Sequence, residues 1–291
     1  MSFTDTFREG GFAIDLDSTT EIIGRFHRKL MDRREIDWES FDRERYDDET
    51  VDRARRDWAA RATAEYYSTS QFGQLLHRLC RVGAPLEMIG ASTRLATDEC
   101  RHAELCARLA DELGGRQGYD VGSEEISLYD DLDDEWLAIY LTILQVCGFG
   151  ETISVPVLQA MCVVANDPIA ERVSEIIAAD EGYHMNFGWE ALEWLTPRLD
   201  DDQRQEVRES LPRLFAGFER VCSGGADAVE DLAGQEVVIE EDTEPNLGSL
   251  SRAQYGAIFY DCLENEIFPR LENLGFDPMA AWKDRLVDQT D

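Results

Sequence analysis

Apolar residues recur at helical spacing along most of this chain. Ile22, Ile23, Phe26, Leu30 and Met31 do so within an otherwise polar lead-in of about fifty residues, so that segment is expected to be partly helical. A helical stretch runs from Trp58 to Cys80, and further helices are expected near 203–222 and 252–274. The last is amphipathic through Phe259, Tyr260, Leu263, Ile267 and Leu271, which suits it to packing against other helices or to a dimer contact. Breaks fall at Gly114-Gly115, at the acidic stretch holding Asp130, Asp131, Asp133 and Asp134, at Pro197, and through the acid- and glycine-rich Gly224 to Gly248. The only convincing β-like run is Glu236 to Glu240. The pattern predicts an all-α fold in three segments: a lead-in over 1–50, a helical core over 51–196, and a helical extension over 197–291 packed on that core.

One stretch departs from the amphipathic rule. From Trp136 to Asn166 Glu151 is the sole charged residue. The length would suffice for a membrane span, but Glu151, Pro156 and the pair Gly148/Gly150 interrupt it, and no second such stretch exists. The innermost helix of a water-soluble bundle is the better expectation. An unpaired carboxylate there is costly, so Glu151 is expected to be neutralised, paired or bound to metal.

Two copies of one short pattern supply a reason for it. Asp98-Glu99-Cys100-Arg101-His102 and Asp180-Glu181-Gly182-Tyr183-His184 contain two of the four histidines in the chain. Residues three apart share a helix face, so each copy aims a carboxylate and an imidazole at one point. A chance pair is on the order of one in a thousand at this composition. A bundle site of this kind needs one more carboxylate from each remaining helix. Glu65 lies 34 residues before Glu99, and Glu151 lies 30 residues before Glu181. That distance is half a long helix, a turn, and half of the next, which returns the chain to the same depth at ~1.5 Å per residue. Small residues beside these positions, Gly148 and Gly150 near Glu151 and Ser68, Thr69 and Gly73 after Glu65, leave room for a substrate or for a π-bulge, or else serve close helix packing. His27 is expected to be a surface or packing histidine.

The set Glu65, Glu99, His102, Glu151, Glu181 and His184 resembles the ferritin-like di-iron carboxylate proteins, which include ribonucleotide reductase small subunits, multicomponent monooxygenases, rubrerythrins and p-aminobenzoate N-oxygenase. The resemblance covers roughly residues 50–196. It implies a ferritin-like four-helix bundle with additional N- and C-terminal helices, holding two Fe ions (Fe/Fe, or Mn/Fe). Glu99 and Glu181 would bridge the metals, Glu65 and Glu151 would be terminal carboxylates, and each metal would take one histidine. Asp98 and Asp180 would each hydrogen-bond the histidine of the other half and fix its tautomer. Rubredoxin-like cysteine pairs are missing, which excludes a rubrerythrin with its own electron-transfer module, and Ile177 stands where the p-aminobenzoate N-oxygenase pattern has an additional histidine.

Composition adds constraints on partners. Sixty-one acids face twenty-eight bases for a net charge of −33, and only Lys29 and Lys283 are lysines. Such a surface repels nucleic acid and anionic membrane alike, and it suits a salt-adapted or high-GC organism. The N-terminus is polar and acidic, which predicts no signal peptide. Seven cysteines without a Cys-x-x-Cys read as reduced thiols in a cytoplasmic protein. The resemblance implies a non-haem di-iron oxygenase or oxidase that uses O2 on a small organic substrate, by hydroxylation or N-oxygenation, with electrons from a separate donor protein. The alternative is an iron-handling ferroxidase or peroxide scavenger without an organic substrate.

Overall fold

The computed structural model describes residues 14, 16, 19–31, 36–115, 121, 126–225, 237, 239–240 and 244–286. It is all-α: no strand is present among the described residues. Within the expected β-like run, Glu236 and Val238 lie outside the described residues, and Val237, Ile239 and Glu240 belong to no strand. The chain divides into two compact units.

The first unit gathers the chain up to Asp130 together with Cys162–Ile177 and Glu241–Ser249. Its helix α1 (Glu21–Met31) follows the expected spacing, but only Gly24 of it is buried. Ile22 and Phe26 are 79% and 67% exposed, so the periodicity found the helix without finding a covered face. Helices α2 (Asp48–Arg81) and α3 (Leu86–Glu112) form a long antiparallel hairpin. Asp47 caps α2 by accepting from the Thr50 amide at 2.7 Å. The helix ends in a Schellman turn: the Gly83 amide bonds the Cys80 carbonyl and the Ala84 amide bonds the Leu79 carbonyl. Gly83 takes φ +67°, the left-handed conformation that this turn requires.

The buried stripe of α2 runs Val51, Ala54, Trp58, Ala62, Glu65, Phe72, Leu75 and Leu79. That of α3 runs Met88, Ser92, Leu95, Glu99, His102, Cys106 and Leu109. Intervals of three, four or seven residues put every member on one helical face. A carboxylate in the first stripe, and a carboxylate and an imidazole in the second, occupy places where core packing alone would put apolar side chains. Polar groups around the hairpin are paired across long sequence distances. The Trp58 indole donates to the Leu247 carbonyl at 2.9 Å, and the Tyr46 hydroxyl donates to Asp167 at 2.6 Å. Asp167 also caps the next long helix through the amides of Ile169 and Ala170.

The second unit holds Asp131–Met161, Ala178–Glu240 and Leu250–Asp291. A continuous helical run begins with α4 (Glu135–Ile143), capped by Asp134, passes through a π-helix (Leu144–Glu151), and continues as α5 (Thr152–Val164). This run holds the stretch in which Glu151 is the sole charge; it is long and apolar enough to cross a membrane, and 72% of its apolar window is buried inside the protein, as a core helix would be. Helix α6 (Pro168–Leu195) follows, and α5 and α6 each contribute residues to both units. Pro156 inside α5 has no N–H for the carbonyl of Thr152 four residues earlier. The Cys262 thiol donates to that carbonyl instead, at 3.3 Å.

Helix α7 (Asp201–Ser223) opens with a capping box between Asp200 and Gln203. The C-terminal helix expected near 252–274 is broken into α8 (Arg252–Cys262), a π-turn (Leu263–Ile267) and α9 (Phe268–Asn273), followed by α10 (Pro278–Asp284). Of the amphipathic stripe read from the sequence, Phe259, Leu263, Ile267 and Leu271 are buried and Tyr260 is half-buried. Phe149, Phe215, Phe268 and Trp282 meet edge to face with centroids 5.1–6.1 Å apart.

Beside this cluster Glu219 is fully buried, and its carboxylate accepts from Arg285 at 2.8 and 3.0 Å and from the Tyr260 hydroxyl at 3.0 Å. Tyr260→Phe removes one of these donors while the bidentate arginine stays. It should therefore cost about 1 kcal/mol, read as a lowered melting temperature, whereas an unchanged midpoint would show that the hydroxyl contributes nothing. All seven cysteines are free thiols.

Candidate metal centre

In the first unit α2 contributes Glu65 and α3 contributes Glu99 and His102. One ligand atom from each lies within 4.8 Å of those of the others. The His102 Nδ1 is 3.8 Å from a Glu65 oxygen and 3.9 Å from a Glu99 oxygen. All three side chains are buried. The other Glu65 oxygen accepts from Arg61 at 3.1 Å, one helical turn earlier on α2.

The second unit repeats the arrangement with Glu151, Glu181 and His184, also buried and also within 4.8 Å of one another. The His184 Nδ1 is 2.8 Å from a Glu181 oxygen and 3.7 Å from a Glu151 oxygen. Burial raises the Glu151 carboxyl far above the ordinary carboxylate range, and the negative charge of Glu181 pushes it the same way, while His184 opposes the shift. Two carboxylates crowded out of water in this manner need either a proton or a cation. Each triad, with two carboxylates and one imidazole at mutual distances a single ion can span, could hold a metal ion.

Local backbone chemistry explains how Glu151 reaches its place. It is the last residue of the π-helix, whose wider turns shift the register of everything after it relative to α4. The expected π-bulge is thus present, and the Thr152 hydroxyl bonds the Cys147 carbonyl five residues back, at 3.3 Å. The Trp189 indole of α6 donates in turn to the Thr152 hydroxyl at 2.9 Å.

Gly188 permits the approach of the two segments. It lies one turn after His184 on the face of α6 that carries Glu181 and His184, and a Cβ there would sit 2.2 Å from the Cβ of Cys147. Gly148 serves packing more than access, since its own added Cβ would meet Leu144 at 3.3 Å and Leu192 at 3.4 Å. Gly73 and Gly182 face open space.

Asp98 is buried and accepts from Arg101 at 2.9 Å and from Arg94 at 3.1 Å. Asp180, preceding Glu181, is buried as well. His27 lies outside both triads, and its Nε2 pairs with Glu104 at 2.8 Å. Of the tyrosines adjoining donors in sequence, Tyr183 is partly exposed, with its ring 6.4 Å from that of His184. Sequence reasoning missed Gly188, and it missed the arginines around Asp98. The arginines had a signal, lying four residues before and three after Asp98. Gly188 had none, because its neighbour Cys147 is remote in the chain.

Comparison with models of known protein families finds none that matches this chain, and comparison with curated proteins finds no significant match.

Proposed function

We propose that the two triads together form one dinuclear iron centre in a ferritin-like helical arrangement, and that the protein is an O2-activating oxygenase or oxidase of a small organic molecule. The observation that carries this reading is the repetition of one buried triad. Glu65 with Glu99 and His102, and Glu151 with Glu181 and His184, present the same three donor types from the same kind of helix pair. Four carboxylates and two imidazoles are a hard, oxygen-rich donor set that suits Fe(II). When bound, a reduced iron pair would supply the electrons with which O2 is activated for oxidation of a substrate.

The chain's own residues do the rest. Glu99 and Glu181 stand in the middle of long helices, so they would hold the ions without mobile loops. Glu65 and Glu151 would supply the remaining carboxylates, and Arg61 holds Glu65 in place through its second oxygen. Asp98, fixed by Arg94 and Arg101, and Asp180 would orient the histidines through hydrogen bonds, so that each imidazole presents one nitrogen to metal. Burial of all six donors keeps bulk water away from the reacting centre. Hydroxylation or N-oxygenation, with a separate protein as electron donor, is the reaction class this arrangement serves.

The test is anaerobic loading with Fe(II), a metal count per chain, and the optical spectrum after O2 is admitted. Two irons per chain that react once with O2 and then turn over only with an organic substrate and a reductant are expected. Continuing iron uptake to ferric oxide would favour an iron-handling protein, and the lack of any stoichiometric iron would remove the site.

A further inference from the structure

The first unit contains a cavity that the metal donors do not line. Its volume is about 300 Å³, at the small end of the range for ligand sites. α1 covers it on one side, and α2 and α3 form the floor. Ile14, Leu16, Ile23 and Ala103 give it apolar walls, and Tyr66 and Thr69 line it from α2.

The charged groups around it are unusual for this chain. Glu104 is fully engaged: one carboxylate oxygen pairs with His27 at 2.8 Å and the other with Arg108 at 2.5 Å. Arg28 of α1 also lines the cavity, and among the described residues no acceptor holds it. Among the described residues that line it, two guanidinium groups therefore stand against one carboxylate, whereas the whole chain carries sixty-one acids and twenty-eight bases. A local surplus of positive charge beside an apolar wall attracts a molecule that is anionic at one end and apolar at the other.

We propose that this cavity binds a small organic monocarboxylate, a single ring or a short chain in size, with its carboxylate at Arg28 and its apolar body against Ile14, Leu16 and Ile23. The cavity lies close to the first triad along the chain. Tyr66 follows Glu65, Cys100 follows Glu99, and Ala103 follows His102, so walls and donors are carried by the same two helices. That the bound carboxylate is also the molecule oxidised rests on the di-iron reading above; the binding itself does not.

Calorimetry with phenylacetate and hexanoate, beside the neutral phenylacetamide, tests the site in metal-free and in Fe(II)-loaded protein. Both carboxylates should bind in either state, and the amide should bind at least roughly tenfold more weakly, as loss of a charge-assisted contact implies. Arg28→Gln, at an exposed position where folding is not at stake, should bring the carboxylates down by about tenfold and leave the amide unchanged. Ile23→Trp, also at an exposed position, should fill the cavity and abolish carboxylate binding. Equal binding of acid and amide, no binding of either carboxylate, or indifference to Arg28→Gln would overturn the proposal. Carboxylate binding without stoichiometric iron would leave the cavity standing and sink the metal centre; two irons per chain without carboxylate binding would do the reverse.

Discussion

Glu151→Gln protein, loaded anaerobically with Fe(II), is expected to hold no more than one iron per chain and to lose reaction with O2, while its helical content stays that of the parent. The amide matches the carboxyl in shape, so packing around the π-helix is kept; what disappears is a charge that a cation would have balanced. Stability without metal should change in the opposite sense. Burial and Glu181 raise the Glu151 carboxyl to about 8 in the folded chain, from an ordinary value near 4.5. A raised acid binds its proton more tightly in the folded state than in the unfolded one. Below the ordinary value both states are protonated and nothing is lost; as pH climbs towards the raised value, the unfolded chain ionises first and stability falls.

Metal-free parent protein should therefore lose stability between about pH 4.5 and 8, by an amount on the order of a few kcal/mol. The glutamine variant should show a flatter profile and a higher midpoint at neutral pH. Thermal denaturation in the presence of a chelator reads this directly. Retention of two irons per chain by the variant would take Glu151 out of the site, and parallel pH profiles would show that its burial carries no such cost.

Gly188→Ala is expected to be the most damaging single methyl group that can be added near the centre. The new Cβ would lie 2.2 Å from the Cβ of Cys147 and 3.3 Å from that residue's Cα and carbonyl carbon. The obstacle is thus main chain and the first side-chain atom, neither of which can rotate away. Overpacking of a core costs up to roughly 3 kcal/mol in common cases, and this one should reach or exceed that, with iron binding lost because the segment carrying Glu151 is pushed off α6. The added Cys147→Gly substitution removes the nearer obstacle and leaves only the 3.3 Å contacts, so the double variant should recover part of the midpoint and part of the iron. Full stability of the single variant would show that the two segments do not approach this closely.

Both predictions concern the same few ångströms, yet they differ in how visible they were beforehand. Glu151 stood out because charge is otherwise missing around it, and the two Glu-x-x-His pairs stood out because helical geometry makes spacing equivalent to direction. For the same reason the long helices, and the amphipathic stripe through Phe259, Leu263, Ile267 and Leu271, were legible. Gly188 was not, since a glycine's role is set by whatever lies against it. The Glu219–Arg285 pair joins residues too far apart for any local pattern to register. α1 shows the limit from the other side: Ile22 and Phe26 repeat at helical spacing but remain exposed, because periodicity specifies a conformation and not a covering partner. The interruption of the C-terminal helix at Leu263–Ile267 had only a neighbouring proline, Pro269, to announce it.

The hairpin form of the donor-bearing helices bears on the order in which the molecule is made. Each triad spans a stretch of roughly 35 residues, from Glu65 to His102 and from Glu151 to His184. Closing so short a loop costs little chain entropy, and contacts local in sequence are those that form early. Both sets of donors should accordingly be gathered while the chain is still collapsing, before the long-range pairings of Trp58 with Leu247 or Glu219 with Arg285 exist. An emerging chain would then present each cation trap as soon as its second helix has cleared the ribosome, making the timing of metal supply a matter of synthesis rather than of later repair.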